Sequence, residues 1–168
     1  MLIQEVSDKR TIKEFLRVPK IIYKNDDNWI CPLDMEINKI FNPQRNTSFK
    51  HGEAVRWILK DGSGGLIGRI AAFYDKRKAL NNRQPTGGIG FFECINDKNA
   101  ANELFDTAKN WLKEKGMEAR DGPINFGENF FYWGLLVEGF TPPVYGMPYN
   151  LPYYKDLFES YGFKNYYE

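Results

Sequence analysis

The sequence is poor in several residue types that carry common chemistries. It contains one histidine and two cysteines in 168 residues, and Cys31 and Cys94 have neither metal-binding nor redox spacing, so a structural disulfide is not expected either. Its net charge of +1, from 23 basic and 22 acidic residues, lacks the clustered basic excess that nucleic acid binding demands. No apolar run approaches the roughly 20 residues of a membrane span. We therefore predict no metal site, no nucleic acid partner and no transmembrane segment.

The composition is that of an ordinary globular domain. Hydrophobic residues make up 42% and charged residues 27% of the chain, and this length can bury a substantial core. Met1-Leu2-Ile3 is soon followed by charged residues, so no apolar signal-peptide block is visible. We predict a single cytoplasmic domain over residues 1–168.

Aromatic residues are abundant and unevenly distributed. They make up 16% of the chain, and 15 of the 27 lie between Ile124 and Glu168. This C-terminal segment also contains many glycines and prolines, which give stiff loops with large apolar faces. Such a segment is suited either to lining a pocket for an apolar ligand, or to forming an interface with another domain or another copy.

Hydrophobic periodicity predicts a mixed sequence of helices and strands. The helix at 100–112 has the clearest apolar stripe, and Gly116 is its predicted C-terminal end. The N-terminal part is expected to form a strand at 2–6, a helix capped by Asp8 and stopped by Pro19, and a helical turn or two at 33–37. Strands follow at 54–60, 66–74 and 87–95, before the helix at 100–112. The C-terminal part is expected to form a strand at 117–120, a helix near 153–160 and a strand from Phe163. This order indicates an α+β fold, and a ferredoxin-like sandwich also fits it.

Two segments resemble the GNAT acyltransferase superfamily. The segment from Tyr153 to Phe163 is similar to that family's late helix, which leads into a Gly-Phe pair. The segment from Gly90 to Trp111 resembles its splayed central strand and the cofactor-facing helix. The resemblance implies a GNAT-like α+β fold, with a mostly antiparallel central sheet flanked by helices.

A narrower resemblance covers most of the chain. It is to a bacterial GNAT-like subfamily whose members run to about twice this length, with a second GNAT-like half, and some of which are associated with long-chain N-acylation in sphingolipid synthesis. The chain would correspond to the first half. The matching pieces, in order, are Trp29-Ile-Cys-Pro-Leu33, Gly68-Arg-Ile-Ala-Ala72, Gly90-Phe-Phe-Glu93, Gly122-Pro123, Gly134-Leu-Leu136, Gly139-Phe140, Pro142-Pro143 and Tyr149-Asn150.

The resemblance implies an N-acyltransferase that uses acyl-CoA or acetyl-CoA, or an acyl carrier protein. It also implies a small amine acceptor, for which a lipid-like amine is one candidate. The family's pyrophosphate loop is rich in glycine, because backbone N–H groups at a helix N-terminus bind phosphate. The matching stretch here, 96–102, has no glycine, and Asp97 is the predicted helix cap. The implied cofactor-binding residues are Gly90, Phe91, Phe92, Cys94, Ile95 and Lys98.

Acyl transfer also needs a base and an acid. Glu93 is the candidate base, because it alternates with Phe91 on an apolar strand and burial raises the proton affinity of a carboxylate. The alternative for Glu93 is a buried carboxylate satisfied by Arg69. Phe158 stands where many members of the family have an acidic tyrosine, so Tyr154, one helical turn earlier, is the substitute acid.

The aromatic tail supplies the candidate acceptor side. Its implied substrate-binding residues are Trp133, Tyr149, Asn150 and Tyr153. An alternative function follows from the missing loop glycines and from Phe158. The chain would then be a degenerate, non-catalytic GNAT module that binds a ligand, or that docks with a second domain or a second copy through its aromatic face.

Overall fold

A five-stranded sheet is the centre of the fold. The computed structural model describes residues 1–81, 83–127 and 134–165. The strands lie in chain order, with antiparallel pairing from the first to the fourth and parallel pairing between the last two. They are β1 (Leu2–Glu5), β2 (Gly52–Lys60), β3 (Leu66–Asp75), β4 (Thr86–Cys94) and β5 (Ala119–Asp121). The α+β prediction with a mostly antiparallel sheet is confirmed, and this strand order excludes the ferredoxin-like sandwich.

Helices cover both faces of the sheet. On one face, α1 contacts β2 and β3, and α1 and α2 share an apolar cluster with Ile58 and Ala71. On the other face, α4 and α5 enclose the larger cluster, which contains Leu104, Phe105 and Phe158. The helices are α1 (Lys9–Ile22), α2 (Asp34–Ile40), α3 (Lys76–Ala79), α4 (Lys98–Glu114) and α5 (Tyr154–Tyr161), with a 3-10 turn at Thr47–Lys50.

Helix α1 continues through Pro19, where the sequence predicts its end. Asp8 caps the helix as predicted, in a reciprocal capping box with Thr11. A proline cannot donate to the carbonyl four residues earlier, so the Phe15 carbonyl is left without its helical partner. Arg69 fills this place, because its Nη1 donates to the Phe15 oxygen at 3.1 Å. A side chain from β3 thus replaces the lost helical hydrogen bond, and α1 extends to Ile22.

Helix α5 ends at Gly162, whose φ of 104° is left-handed and favours glycine. The strand predicted from Phe163 is not formed over 163–165, and residues 166–168 lie outside the described part of the chain. Phe163 instead packs against Phe105 and Phe158, with ring centroids 5.3 and 5.0 Å away. This packing keeps the start of the last segment on the helical layer rather than in the sheet.

Candidate functional site

Strand β4 contains a bulge at the position of the predicted site. Gly90 pairs with Ala71, and Glu93 pairs with Arg69, so Phe91 and Phe92 together oppose a single residue of β3. Phe91 has a φ of 52°, which is rare for a residue with a side chain. Its fully buried ring, packed against Phe15 and Phe41, holds it there. The bulge sends Phe91 and Phe92 to opposite faces of the sheet.

Strands β4 and β5 separate just before the bulge. Their pairing ends at Gly88 and Asp121, and the Ile124 N–H then donates to the Ile89 carbonyl at 2.9 Å. A Cβ on Gly90 would lie 2.0 Å from the Ile124 carbonyl oxygen, so this close approach needs glycine. Beyond Ile89, among the described residues, no strand pairs with this edge of β4. The splay that the resemblance implies is therefore present.

Glu93 is buried beside this open edge, with 3% of its surface exposed. One carboxylate oxygen accepts a hydrogen bond from the Tyr154 hydroxyl at 2.7 Å, and the other lies 3.5 Å from Nη2 of Arg69. Burial raises the pKa of Glu93, while the charge of Arg69 and hydrogen bonds from Tyr154, Tyr23 and Arg69 oppose the rise. The carboxyl group is thus paired with Arg69, and its pKa is raised toward neutral pH.

Helix α5 places the Tyr154 hydroxyl between the Glu93 carboxylate and the backbone of Cys94. The hydroxyl donates to Glu93 and accepts from the Cys94 N–H at 3.1 Å. Burial and the neighbouring Glu93 charge raise the pKa of Tyr154 well above its usual value, so the phenol stays protonated. The hydroxyl of the preceding residue, Tyr153, donates to the Cys94 carbonyl at 2.7 Å. Both backbone groups of Cys94 are therefore hydrogen-bonded to Tyr154 and to Tyr153, the residue that precedes α5.

The remaining acceptor-side residues hold the segment 134–150 in place. The Asn150 side chain accepts from the Leu136 N–H at 2.7 Å and donates to the Leu136 carbonyl at 3.0 Å. The Tyr149 hydroxyl donates to Asp26 at 2.7 Å, which ties the segment to the connection between α1 and α2. Trp133 lies outside the described residues.

A narrow cavity joins the predicted catalytic residues to part of the acceptor side. We call it the Glu93 cavity. Its interior leaves about 10 Å³ for the centre of a water molecule, which is the room of roughly one water. It is lined by Phe92, Glu93, Pro123, Gly134, Leu135, Pro148, Tyr149, Asn150, Tyr154 and Phe158.

Five predicted residues therefore meet in this cavity, namely Phe92, Glu93, Tyr149, Asn150 and Tyr154. Tyr23, which also hydrogen-bonds to Glu93, was missed because nothing in its local sequence marks it as a partner.

The predicted cofactor residues after β4 lie away from this cavity. Ile95 and Lys98 are exposed at the start of α4. The Asp97 side chain caps the helix by accepting from the Ala100 N–H at 2.8 Å. A carboxylate therefore stands where a pyrophosphate would need free N–H groups and positive potential. The start of α4 does not fit a pyrophosphate in the manner of a glycine-rich loop.

No helix of ranges 1–81, 83–127 and 134–165 has the length and apolar character needed to cross a bilayer. The same ranges contain no group of three His, Cys, Asp or Glu side chains close enough together to hold a metal ion.

Two curated proteins are similar to the chain over nearly all of its length. Protein YghO of Escherichia coli is 33% identical over 163 residues, which is 96% of this chain and 41% of that protein. Bacterial ceramide synthase of Caulobacter vibrioides is 34% identical over 158 residues, or 90% of this chain and 40% of that protein. The chain thus spans about two fifths of the length of these relatives. No protein-family model matches it.

Solved acetyltransferase structures share the fold. A "predicted acetyltransferase with acetyl-CoA" from Clostridium acetobutylicum superposes with a TM-score of 0.57 at 16% identity, covering 98% of this chain and 91% of that one. Glucosamine-6-phosphate N-acetyltransferase from Arabidopsis thaliana superposes with a TM-score of 0.54 at 12% identity, covering 100% and 95%. The fold of this chain is that of the GNAT acetyltransferases, as the sequence resemblance implies.

Proposed function

We propose that this chain is a GNAT-type N-acyltransferase domain that acylates an amine from a thioester of coenzyme A or of an acyl carrier protein. The observation that supports this most directly is the buried Glu93–Tyr154 pair at the open edge of β4. In the transfer, the amine nitrogen bonds to the thioester carbonyl carbon and the carbon–sulfur bond breaks. The sulfur keeps the electron pair and takes up the proton that the amine loses.

The pair has the properties needed to move that proton. Burial raises the pKa of Glu93 toward neutral pH. A general base works best when its pKa lies near the pH at which the enzyme operates. Glu93 accepts the amine proton, and Tyr154, which is protonated at neutral pH, gives its own proton to the sulfur. Their 2.7 Å hydrogen bond then returns a proton from Glu93 to Tyr154. One proton crosses the site, and both residues end in their starting states.

We also propose where the amine acceptor binds and in which compartment the reaction takes place. Tyr149, Asn150 and Tyr153 lie beside the open edge of β4, where we place the amine acceptor. The family resemblance adds Trp133, which lies outside the described residues, to the proposed acceptor-binding residues. A lipid-like amine is supported by the similarity to a protein named as a ceramide synthase. We place the reaction in the cytoplasm.

The Glu93 cavity has room for about one water, which is too small for an acyl chain. We therefore propose that a second GNAT-like half, or a second copy, completes the site. The greater length of the two curated relatives supports this arrangement.

Two observations favour a second candidate function, a non-catalytic GNAT module. Asp97 occupies the start of α4, where pyrophosphate would bind. The Cys94 N–H, which would otherwise be a backbone donor for a thioester oxygen, already donates to the Tyr154 hydroxyl. In this alternative the fold serves ligand binding or docking with a second domain, and the catalytic half lies elsewhere.

A thermal shift experiment tests whether this chain binds a coenzyme A thioester by itself. Coenzyme A, acetyl-CoA and palmitoyl-CoA are each added to the chain, and a ligand at 100 times its Kd stabilises the folded state by about 2.7 kcal/mol. For a chain of this length that raises the Tm by roughly 5–11 °C. No shift with any of the three refutes a transferase that acts alone on coenzyme A thioesters and favours the module.

Turnover is then followed as thiol release from the thioester that binds, with a long-chain amine as acceptor. The E93Q and Y154F variants should keep the thermal shift and lose at least 100-fold in rate, the usual scale for general acid–base catalysis. Y145F, which removes an exposed hydroxyl bonded to Glu36, is the matched control. Equal rates for Y154F and Y145F would remove Tyr154 from the mechanism.

A further inference from the structure

A chain of buried contacts links helix α1 to the Glu93 carboxylate. Pro19 lies inside α1 and has no N–H, so it leaves the Phe15 carbonyl without a helical donor. Nη1 of Arg69 donates to this carbonyl at 3.1 Å, and Nη2 of the same guanidinium lies 3.5 Å from Oε1 of Glu93. All four residues are buried. A proline in a helix is thus connected, through one guanidinium, to the proposed base on β4.

The Arg69 guanidinium is shared between a neutral acceptor and a charged one. A close pair of a cation and a carboxylate has an N-to-O distance of about 2.7–2.9 Å, so the 3.5 Å contact between Arg69 and Glu93 is long. The guanidinium is a rigid planar fork that moves as one body, and its other arm is held by the Phe15 carbonyl. The carbonyl therefore restrains how closely the charge of Arg69 approaches the carboxylate.

Arg69 is the one cation among the described groups that interact with Glu93. Arg56 on β2 packs its guanidinium on the Phe41 ring, 4.2 Å from the centroid, and forms no ion pair with a described carboxylate. Burial raises the pKa of Glu93, and the charge of Arg69 is the main influence that opposes this rise. The other groups that interact with Glu93 are three phenols and a thiol, those of Tyr23, Tyr153, Tyr154 and Cys94.

We propose that Pro19 and Arg69 are positioning residues for the Glu93 carboxylate. Pro19 keeps the Phe15 carbonyl free of a helical donor, and this carbonyl holds the Arg69 guanidinium near enough to stabilise the charged carboxylate but too far away for a short ion pair. One carboxylate oxygen then faces Arg69 and the other faces the Tyr154 hydroxyl. The use of Glu93 as a base rests on the proposed function, whereas its position and charge depend on contacts that exist without a substrate.

Substitutions at Pro19 and Arg69 should move the titration of Glu93 in opposite directions. In P19A the new N–H donates to the Phe15 carbonyl, so the guanidinium is released and can close on the carboxylate. We expect the pKa of Glu93 to fall by about 1 in P19A. In R69Q the positive charge is lost, and the pKa of Glu93 should rise by about 1–3.

Carbon-13 NMR of the glutamate side-chain carboxyl groups measures this titration, and the resonance of Glu93 is the one that E93Q removes. P43A, which removes an exposed proline from the turn after α2, and R17Q, which removes an exposed arginine from α1, are the matched controls. Both controls should leave the Glu93 titration unchanged. Equal pKa values in P19A and P43A, or a change of the same sign in P19A and R69Q, would overturn the proposal.

The P19A comparison decides the question even if R69Q does not fold. Alanine is a far better helix former than proline, so P19A is expected to fold. The NMR measurement also needs no acyl donor, so it does not depend on turnover by the chain alone.

The pH profile of kcat/KM separates this proposal from the proposed function. If Glu93 is the base, the acid limb of the profile should follow the NMR titration and move to lower pH in P19A. A titration that moves while the profile stays in place would support the positioning of Glu93 by Pro19 and Arg69, and would contradict the role of Glu93 as the base.

Discussion

The Tyr154→Phe substitution probes the most tightly constrained part of the site. It removes the one hydroxyl that both donates to the Glu93 carboxylate at 2.7 Å and accepts from the Cys94 N–H at 3.1 Å. Tyr154 is 1% exposed, and Glu93 and Cys94 are buried as well. Phenylalanine keeps the ring and its packing on Phe92, so the change acts through the lost hydroxyl.

The expected loss of stability follows from these two contacts. A buried polar group left without its partner costs about 1–3 kcal/mol, and more if it is charged. The carboxylate keeps Arg69, and the Glu93 cavity has room for about one water that can restore part of the bonding. We therefore expect Y154F to lower the free energy of unfolding by about 2–4 kcal/mol, equivalent to a Tm lower by roughly 4–16 °C.

Urea unfolding followed by tryptophan fluorescence measures this loss. Y145F is the matched control, because Tyr145 is 78% exposed and its hydroxyl bonds to Glu36 at the surface. We expect Y145F to lie within about 0.5 kcal/mol of the unmodified chain. A Y154F variant as stable as Y145F would refute the placement of the Tyr154 hydroxyl between Glu93 and Cys94.

Two further predictions concern β4. Burial raises the pKa of Glu93 in the folded state above its value in the unfolded chain. The contribution of Glu93 to the free energy of unfolding is therefore most favourable below the unfolded pKa, and it becomes less favourable as the pH rises through the folded pKa. The stability of the unmodified chain relative to E93Q, measured by urea unfolding, should therefore fall as the pH rises above about 4.5. A flat or rising difference would contradict the raised pKa. A Gly90→Ala substitution puts a Cβ 2.0 Å from the Ile124 carbonyl oxygen and should cost about 1–3 kcal/mol or more by the same assay. Gly62→Ala, with no atom within 4 Å of the added Cβ, should stay within about 0.5 kcal/mol, so equal midpoints for the two variants would contradict the close approach.

Local signals accounted for most of the secondary structure. The Asp8 cap, the stripe of α4 and the left-handed Gly162 each act within about one helical turn, so the chain itself specifies them. Alternation and turn residues likewise located β2, β3 and β4 to within one or two residues. The family resemblance then favoured a GNAT-like fold, whereas local patterns alone left the choice between two folds open.

The course of α1 shows where local reasoning fails. Pro19 carries a strong stop signal, because a helix interior loses a hydrogen bond at proline. The helix continues because Arg69, 50 residues further along the chain, supplies a donor for the Phe15 carbonyl. A contact over that distance has no local signature, so only the folded chain shows that the stop signal is overridden.

The features of the candidate site likewise fall into two groups, those that the sequence indicates and those that appear only on folding. Sequence patterns placed Glu93 on an apolar strand and Asp97 at the cap of α4 without a glycine loop, and the family resemblance marked Phe158 as standing where a tyrosine is expected. The contact of the Tyr154 hydroxyl with Glu93, 61 residues away, and with the Cys94 N–H at the bulge in β4 is visible only in the folded chain. The physical reason is that capping and periodicity act between neighbours, whereas burial, hydrogen-bond partners and proton affinity are set by groups that only folding brings together.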